Sequence, residues 1–163
     1  MCYKQAILLV NGKIIVVMYM IYLRLKDIRE DNDLKQTDLA NWYGMSRQNY
    51  SRWETGQNTI PLKHLFAFCE KFNVSMDYLI GRSKKINYPN ASNIVDKEKI
   101  GKRLREVRKH FHITQSELAN ILNTTHSTIS AYEHGKTLIL TNFAYEIAIK
   151  FNISMDFLCG RID

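Results

Sequence analysis

The segment QTDLANWYGMSRQNYSRWETG, residues 36–56, contains two short helical patterns separated by a turn. We expect the first helix to begin near Gln36 and to end at Gly44, because glycine readily adopts the left-handed conformation of a tight turn. Ser46 is a favourable N-cap for the next helix, which should run to about Glu54. Two helices joined in this way form a helix-turn-helix pattern, although helical hairpins in general are common.

The same pattern returns 79 residues later as QSELANILNTTHSTISAYEHG, residues 115–135. Residues 21–82 align with residues 100–161 without a gap, and 21 of the 62 aligned positions are identical. Solenoids need more than two stacked repeats, because each repeat buries its apolar face only against its neighbours. Two copies therefore indicate two similar compact domains.

Each copy carries helix signals and no strand signal. Ile21, Leu25 and Ile28 recur at the spacing of an amphipathic first helix, and the second copy repeats that spacing. Thr114 and Glu117 have the sequence of a capping box, in which each side chain bonds a backbone amide of the other residue. Followed to the end of each copy, these signals predict an all-α fold of two tandem five-helix domains.

The repeat also predicts the domain boundaries. We expect an N-terminal extension at 1–20, a first domain at 21–82, a linker at 83–98 and a second domain at 99–163. The linker is polar, contains Pro89 and lacks apolar periodicity. A flexible chain of its 16 residues would average about 20–24 Å end to end and stretch to about 53 Å.

The extension is apolar, but Asn11, Gly12 and Lys13 interrupt it before it reaches the length of a membrane-spanning helix. Its two apolar runs, 7–10 and 14–17, flank Asn11-Gly12, which suits the type I′ turn of a β-hairpin. The alternative is that translation begins at Met18 or Met20 and that the extension lies upstream of the protein.

Both copies resemble the DNA-binding domain of the lambda and 434 repressor superfamily, the Xre or Cro/C1-type helix-turn-helix. The matching motifs are 36–40, Gly44, Ser46, 53–56 and 75–79 with Gly81, then 115–119, 132–135 and 154–158 with Gly160. The resemblance implies tandem lambda-repressor-like domains in a cytoplasmic, nucleoid-associated transcriptional regulator, and repression is the habit of the family. It also implies internal salt bridges between Arg29 and Glu54 and between Arg108 and Glu133.

The third helix of the first copy has side chains that can read base edges, since arginine pairs with guanine and glutamine or asparagine with adenine. The predicted base-reading residues are Arg47, Gln48, Asn49 and Arg52. Gln36 and Ser46 stand at helix N-termini, where backbone donors favour a phosphate. The resemblance implies that the loop with Gln57, Asn58 and Thr59 contacts the DNA backbone.

The second copy offers shorter side chains and no arginine at the base-reading positions. Those positions hold His126, Ser127 and Thr128. The predicted phosphate contacts are Gln115, Thr125, Lys136 and Thr137. Two interpretations stay open: this copy binds DNA with less base discrimination and adds affinity through phosphates, or it is a module kept for docking or dimerisation.

Composition limits the other classes of function. A net charge of +7 favours a polyanionic partner, and the second copy carries more of the excess than the first. Residues 21–82 hold nine basic and eight acidic side chains, and residues 99–163 hold nine and six.

The cysteines Cys2, Cys69 and Cys159 have no short spacing, which argues against a disulfide framework and a cysteine-based zinc site. The five histidines form no ligand motif.

Together these patterns predict a protein that binds double-stranded operator DNA as a homodimer or as an intrachain pseudo-dimer. We expect no catalytic activity, cofactor, metal or membrane association. Because the two heads differ, the operator should be asymmetric or contain two dissimilar half-sites. The alternative is an antitoxin-like or interaction protein in which one helix-turn-helix domain mediates protein contact or dimerisation. Exposed apolar area on the second domain would favour that alternative.

Overall fold

The computed structural model describes residues 24–163, which form ten helices and no strand. The first half contains α1 (24–31), α2 (Gln36–Trp42), α3 (Arg47–Glu54), α4 (Leu62–Lys71) and α5 (Met76–Leu79). The second half contains α6 (Lys97–His110), α7 (Gln115–Ile121), α8 (His126–Glu133), α9 (Thr141–Lys150) and α10 (Met155–Leu158). The predicted all-α class is confirmed, and the hairpin predicted within 1–20 lies outside the described residues.

The helix ends follow the local signals in the sequence. Ser46 accepts a hydrogen bond from the backbone N–H of Asn49 at 3.3 Å and so begins α3. Gly44, with φ of 66°, provides the left-handed residue between α2 and α3. The predicted capping box is present at α7, where Thr114 N–H donates to Glu117 at 2.6 Å and Glu117 N–H donates to Thr114 at 3.1 Å. These caps set the start of α3 and of α7.

Apolar faces of the helices pack into the core beneath each hairpin. Leu39, Tyr50 and Trp53 are buried, as are Leu118, Ile129 and Tyr132 at the equivalent positions of the second copy. Gly101 lets α6 approach α8 closely, because a Cβ at this position would lie 2.3 Å from the carbonyl oxygen of Tyr132. This close backbone contact holds the α7–α8 hairpin against α6.

The two halves meet at α5 and α10 through a reciprocal pair of helix caps. Asp77 of α5 accepts hydrogen bonds from the backbone N–H of Met155 at 2.8 Å and from the hydroxyl of Ser154. Asp156 of α10 accepts in turn from the N–H of Met76 at 3.1 Å and from the N–H of Asp77 at 2.8 Å. Each carboxylate therefore occupies the first turn of the other half's helix, where unsatisfied amides favour negative charge.

Further contacts close this junction. Arg161 is buried and donates from Nη1 to Asp156 Oδ1 at 2.6 Å and to the carbonyl of Val74 at 3.3 Å. Thr141, at the start of α9, donates its hydroxyl hydrogen to the carbonyl of Ile60 at 2.5 Å. The junction thus joins α9 and α10 of the second half to the segments that precede α4 and α5 of the first.

The segment between the halves is bonded to both of them. The N–H of Ser75 donates to the carbonyl of Ile86 at 2.5 Å, and the Ser75 hydroxyl donates to the carbonyl of Lys85 at 3.0 Å. The N–H of Ser92 donates to the carbonyl of Arg161 at 2.8 Å. The estimate for a freely flexible tether therefore does not describe this segment, and α6 already begins at Lys97 within it.

Candidate nucleic-acid interface

Helix α3 separates its polar and apolar side chains onto opposite faces. Tyr50 and Trp53 point into the core. The four residues predicted to read bases, Arg47, Gln48, Asn49 and Arg52, are all exposed. The face that a major groove would meet is therefore anchored from behind by two buried aromatic rings.

An open groove runs along this face and continues past the end of the helix. Its lining residues are Arg47, Gln48, Ser51, Arg52, Thr55 and Gln57. Ser51 and Thr55 were not predicted from the sequence, although each follows another lining residue by four positions and so lies on the same helix face. Thr55 donates its hydroxyl hydrogen to the carbonyl of Ser51 at 2.9 Å, which holds the last turn of the groove wall.

A buried ion pair ties α3 to α1, as the resemblance implied. Arg29 donates from Nε to Glu54 Oε1 at 2.5 Å and from Nη2 to Glu54 Oε2 at 3.0 Å. Its Nη1 donates to the carbonyl of Leu34 at 2.7 Å, in the turn before α2. The hydrogen bond with Glu54 is the largest cause that raises the pKa of Arg29 above its ordinary value. One guanidinium therefore fixes α1, the end of α3 and the entry to α2.

The second half repeats this ion pair. Arg108 donates from Nε to Glu133 Oε1 at 2.5 Å and from Nη2 to Oε2 at 2.9 Å. Burial is the largest single influence on Glu133 and would raise its pKa. Hydrogen bonds from Arg108 and Gln115, together with the positive charges of Arg108 and Arg105, outweigh burial and hold the pKa of Glu133 below its ordinary value. Both predicted salt bridges are thus confirmed.

The glutamines predicted to bind phosphate take part in these networks. Gln36 donates from Nε2 to Glu54 Oε2 at 2.9 Å, and Gln115 donates from Nε2 to Glu133 Oε2 at 2.8 Å. Each amide nitrogen carries two hydrogens, so one of them is committed to the protein and the other can still reach a ligand. The ion pair therefore orients the glutamine at the first turn of α2 and of α7.

Helix α8 exposes fewer of its predicted base-reading side chains than α3 does. His126 and Ser127 are exposed, whereas Thr128 is half-buried. The hydroxyls of Ser127 and Thr128 each lie 2.9 Å from the hydroxyl of Thr125, which also accepts from the N–H of Thr128 at 3.2 Å. Two of the three side chains predicted to read bases are thus bonded to the cap of their own helix.

The loops after α3 and α8 have the same backbone arrangement. The N–H of Gln57 donates to the carbonyl of Arg52 at 2.9 Å, and the N–H of Lys136 donates to the carbonyl of Ala131 at 2.9 Å. Gln57 and Asn58 are exposed and Thr59 is half-buried, while Lys136 and Thr137 are exposed. The loops predicted to bind phosphate therefore lie directly after α3 and α8.

The two cysteines of the described residues lie outside α3, with Cys69 in α4 and Cys159 at the end of α10. Cys69 and Cys159 are buried free thiols, and burial raises the pKa of Cys69 to about 12. Among residues 24–163 no group of three or more histidine, cysteine or acidic side chains is placed to hold a metal ion. No helix in the same range has the length and apolar character to cross a membrane.

Comparison with known proteins agrees with this geometry. A helix-turn-helix family model matches residues 25–79, and a helix-turn-helix domain model matches residues 101–158. The chain is 35% identical over 68 residues to the antitoxin PezA of Streptococcus pneumoniae serotype 4, a match that covers 42% of this chain and 43% of that protein. The match therefore spans less than half the length of that relative. No solved structure matches the chain significantly.

Proposed function

This chain carries two helix-turn-helix domains in tandem, which indicate a DNA-binding regulator, and we propose that it binds operator DNA sequence-specifically and represses transcription there. The observation that supports this most directly is the exposed polar face of α3, anchored by the buried Tyr50 and Trp53. The major groove admits an α-helix, and all four base pairs can be told apart only there. In this proposal the protein acts in the cytoplasm, at the nucleoid. DNA binding of this kind requires no catalytic residue.

In this proposal the residues of α3 divide by chemistry. Arg47 and Arg52 bind guanine edges, and Gln48 and Asn49 bind adenine edges. The phosphate contacts come from the helix N-termini and from the loop after α3, through Gln36, Ser46, Gln57, Asn58 and Thr59. Phosphate contacts fix the register of the helix in the groove, and base contacts select the sequence.

The second domain contributes affinity more than specificity. His126 is exposed on α8, but Ser127 and Thr128 would have to release Thr125 before they could bond a base. Gln115, Thr125, Lys136 and Thr137 supply its phosphate contacts. The greater charge excess of this half supports that role, because phosphate neutralisation releases counterions whatever the sequence.

In vitro selection of bound DNA tests the base-reading role. Wild type should select a defined motif, and Arg47→Ala should lose about 1–3 kcal/mol and relax preference at one position. Lys84→Ala, which removes one exposed charge outside α3, serves as the control and should leave the motif unchanged. Equal weakening of Arg47→Ala on every sequence would assign Arg47 to a phosphate. A wild type that selects no motif would refute sequence-specific regulation.

The phosphate role of the second domain has its own test. Lys136→Ala should weaken binding to all sequences by a similar factor, and the slope of log affinity against log salt should fall by about 1. An unchanged salt slope would show that Lys136 does not contact a phosphate.

A second function receives support from a specific observation on the second domain. Three of its large apolar side chains are exposed, Phe111 to 38%, Leu140 to 53% and Ile149 to 45%, whereas the described part of the first domain exposes Trp42 to 44%. Exposed apolar patches of this kind mark protein–protein contacts when they are contiguous. Together with the partial similarity to an antitoxin, they support a role in which the second domain binds a partner protein.

Co-expression with the product of the adjacent reading frame tests this second function. A stable complex that Leu140→Ser and Ile149→Ser weaken would support it. Trp42→Ser, which changes an exposed apolar residue of the first domain, is the matched control and should leave the complex intact. Absence of a complex with wild type would leave DNA binding as the function of both domains.

A further inference from the structure

The contact between α5 and α10 has the pattern of a two-fold symmetric interface. Asp77 bonds the amide of Met155, and Asp156 bonds the amide of Met76. Met76 and Asp77 correspond to Met155 and Asp156 at the repeat offset of 79 residues. When residue i of one body contacts residue j of the other and j contacts i, the two bodies are related by a two-fold rotation. The halves of this chain therefore meet as the subunits of a symmetric dimer would.

This contact holds the halves in one arrangement. Asp156 is fully buried. Arg161 bonds Asp156 and the carbonyl of Val74 from the opposite half, and Thr141 bonds the carbonyl of Ile60 across the same junction. Separation of a buried ion pair is strongly destabilising, because it leaves an uncompensated charge in the interior. The two heads are thus fixed to each other rather than joined by a free tether.

The same contact also leaves no room for a second chain. The first turns of α5 and α10 are both occupied by a carboxylate of the same chain. The connecting segment adds further contacts within the same chain, since Lys85 accepts from the Ser75 hydroxyl and Asn93 accepts from Arg161. A second copy would have to displace these bonds to pair through the same surface.

We propose that a single chain binds DNA as a preformed pseudo-dimer, on two unlike half-sites in inverted orientation at one fixed spacing. The inference rests on the proposed function. A two-fold rotation that relates α5 to α10 also relates α3 to α8, and the two strands of a duplex are related by two-fold axes perpendicular to it. Symmetric heads therefore meet inverted half-sites, and a direct repeat would present the second half-site backwards.

A set of duplexes built from the motif that the full-length wild type selects tests this geometry. The first keeps the selected arrangement, the second inserts about 5 base pairs between the halves, half a helical turn, the third inserts a full turn, and the fourth reverses one half. At one salt concentration we expect each altered duplex to bind about 10-fold more weakly, because the second head keeps its phosphate contacts but loses the base contact of His126. A free tether would tolerate the altered spacings.

Stoichiometry and a junction variant complete the test. Native mass spectrometry should find one chain on the selected duplex. In Asp77→Asn/Asp156→Asn the affinity ratio between selected and altered duplexes should fall towards 1, with binding to the altered duplexes retained as the sign that the heads remain folded. If that variant unfolds, the wild-type duplex series alone decides.

Several outcomes would overturn the proposal. A selected direct repeat, a single half-site, equal binding at all spacings or two chains on each duplex would refute the pseudo-dimer and leave sequence-specific DNA binding intact. Failure to select any motif would refute both.

Discussion

Asp77 and Asp156 stand at the same position of two repeats, and each bonds a backbone amide at the first turn of the other's helix. Burial raises the pKa of Asp156, and the amides of Asp77 and Met76 followed by the charge of Arg161 act against that rise. Asp77 and Asp156 each lie in the first turn of their own helix, a common position for an acidic residue. In addition, each caps the helix of the other half. Arg161 supplies the neighbouring positive charge at 2.6 Å.

Removal of Arg161 should strongly destabilise the protein. Arg161→Met would leave Asp156 buried without a counter-charge, and loss of one partner of a buried ion pair costs about 3–5 kcal/mol. Urea unfolding followed by far-UV circular dichroism measures the change. The repeat provides a matched control in Arg82, which bonds the exposed Asn152 at 2.8 Å. Arg82→Met should cost less than about 1 kcal/mol, and equal losses in the two variants would disprove the special role of Arg161.

A second prediction compares the two glutamates that pair with Arg29 in the first domain, Glu54 and Glu30. Glu54→Gln removes the charge that Arg29 needs in the interior and should cost about 3–5 kcal/mol. Trp53 lies in the same core, so tryptophan fluorescence reports the unfolding. Glu30 also pairs with Arg29, at 3.2 Å, but is about half exposed. Glu30→Gln should change stability by less than about 1 kcal/mol. A larger effect at Glu30 than at Glu54 would contradict the structure.

The stability of the second domain should depend on pH through Glu133. Its folded pKa lies below the ordinary value of 4.5, so the folded state binds its proton less readily than the unfolded state does. The stabilisation is therefore present above about pH 4.5 and is lost as pH falls through the folded pKa. The difference in unfolding free energy between wild type and Glu133→Gln should shrink from pH 6 to pH 3, about the range in which carboxylates titrate.

The control for this titration is Glu106→Gln, an exposed change on the same arginine-rich helix α6. Its difference from wild type should vary less with pH than that of Glu133→Gln. A difference for Glu133→Gln that stays constant over the whole range would show that Glu133 titrates alike in folded and unfolded chains.

Local signals predicted much of this fold, and long-range polar contacts were harder to predict. The cap at Ser46, the turn at Gly44 and the capping box at Thr114 depend on neighbours within a few residues, so sequence alone reveals them. The ion pair of Arg29 and Glu54 spans 25 residues and was accessible only through the family resemblance. The Asp77 and Asp156 caps span nearly 80 residues, and only their identity in both repeats hinted at a shared role.

At the candidate site, too, features set by local sequence were predicted and those set by long-range contacts were not. Exposure of Arg47 and Arg52 follows from helical periodicity once Tyr50 is placed in the core. The bond from Gln36 to Glu54 depends on how two helices cross, and periodicity carries no information about that. The prediction that the linker is freely flexible was wrong. Polar composition does not reveal that the carbonyls of Lys85 and Ile86 accept hydrogen bonds from Ser75.

A transfer of the reading face from α3 to α8 makes the sharpest prediction about specificity. The two helices have equal length and equivalent N-caps at Ser46 and Thr125. His126→Arg, Ser127→Gln, Thr128→Asn and Ala131→Arg would place the four α3 side chains at the matching positions of α8. Each good base contact contributes about 1–3 kcal/mol of discrimination, so in vitro selection should change from two unlike half-sites to two copies of the half-site read by α3.

The reverse transfer controls for general effects of added charge. Replacement of Arg47, Gln48, Asn49 and Arg52 by the α8 residues should erase the half-site read by α3 and leave the other one weakly selected. Circular dichroism checks that both variants keep their helices. If the forward transfer strengthens binding to every sequence while the selected motif stays asymmetric, the four side chains contribute charge alone, and specificity must come from residues outside α3.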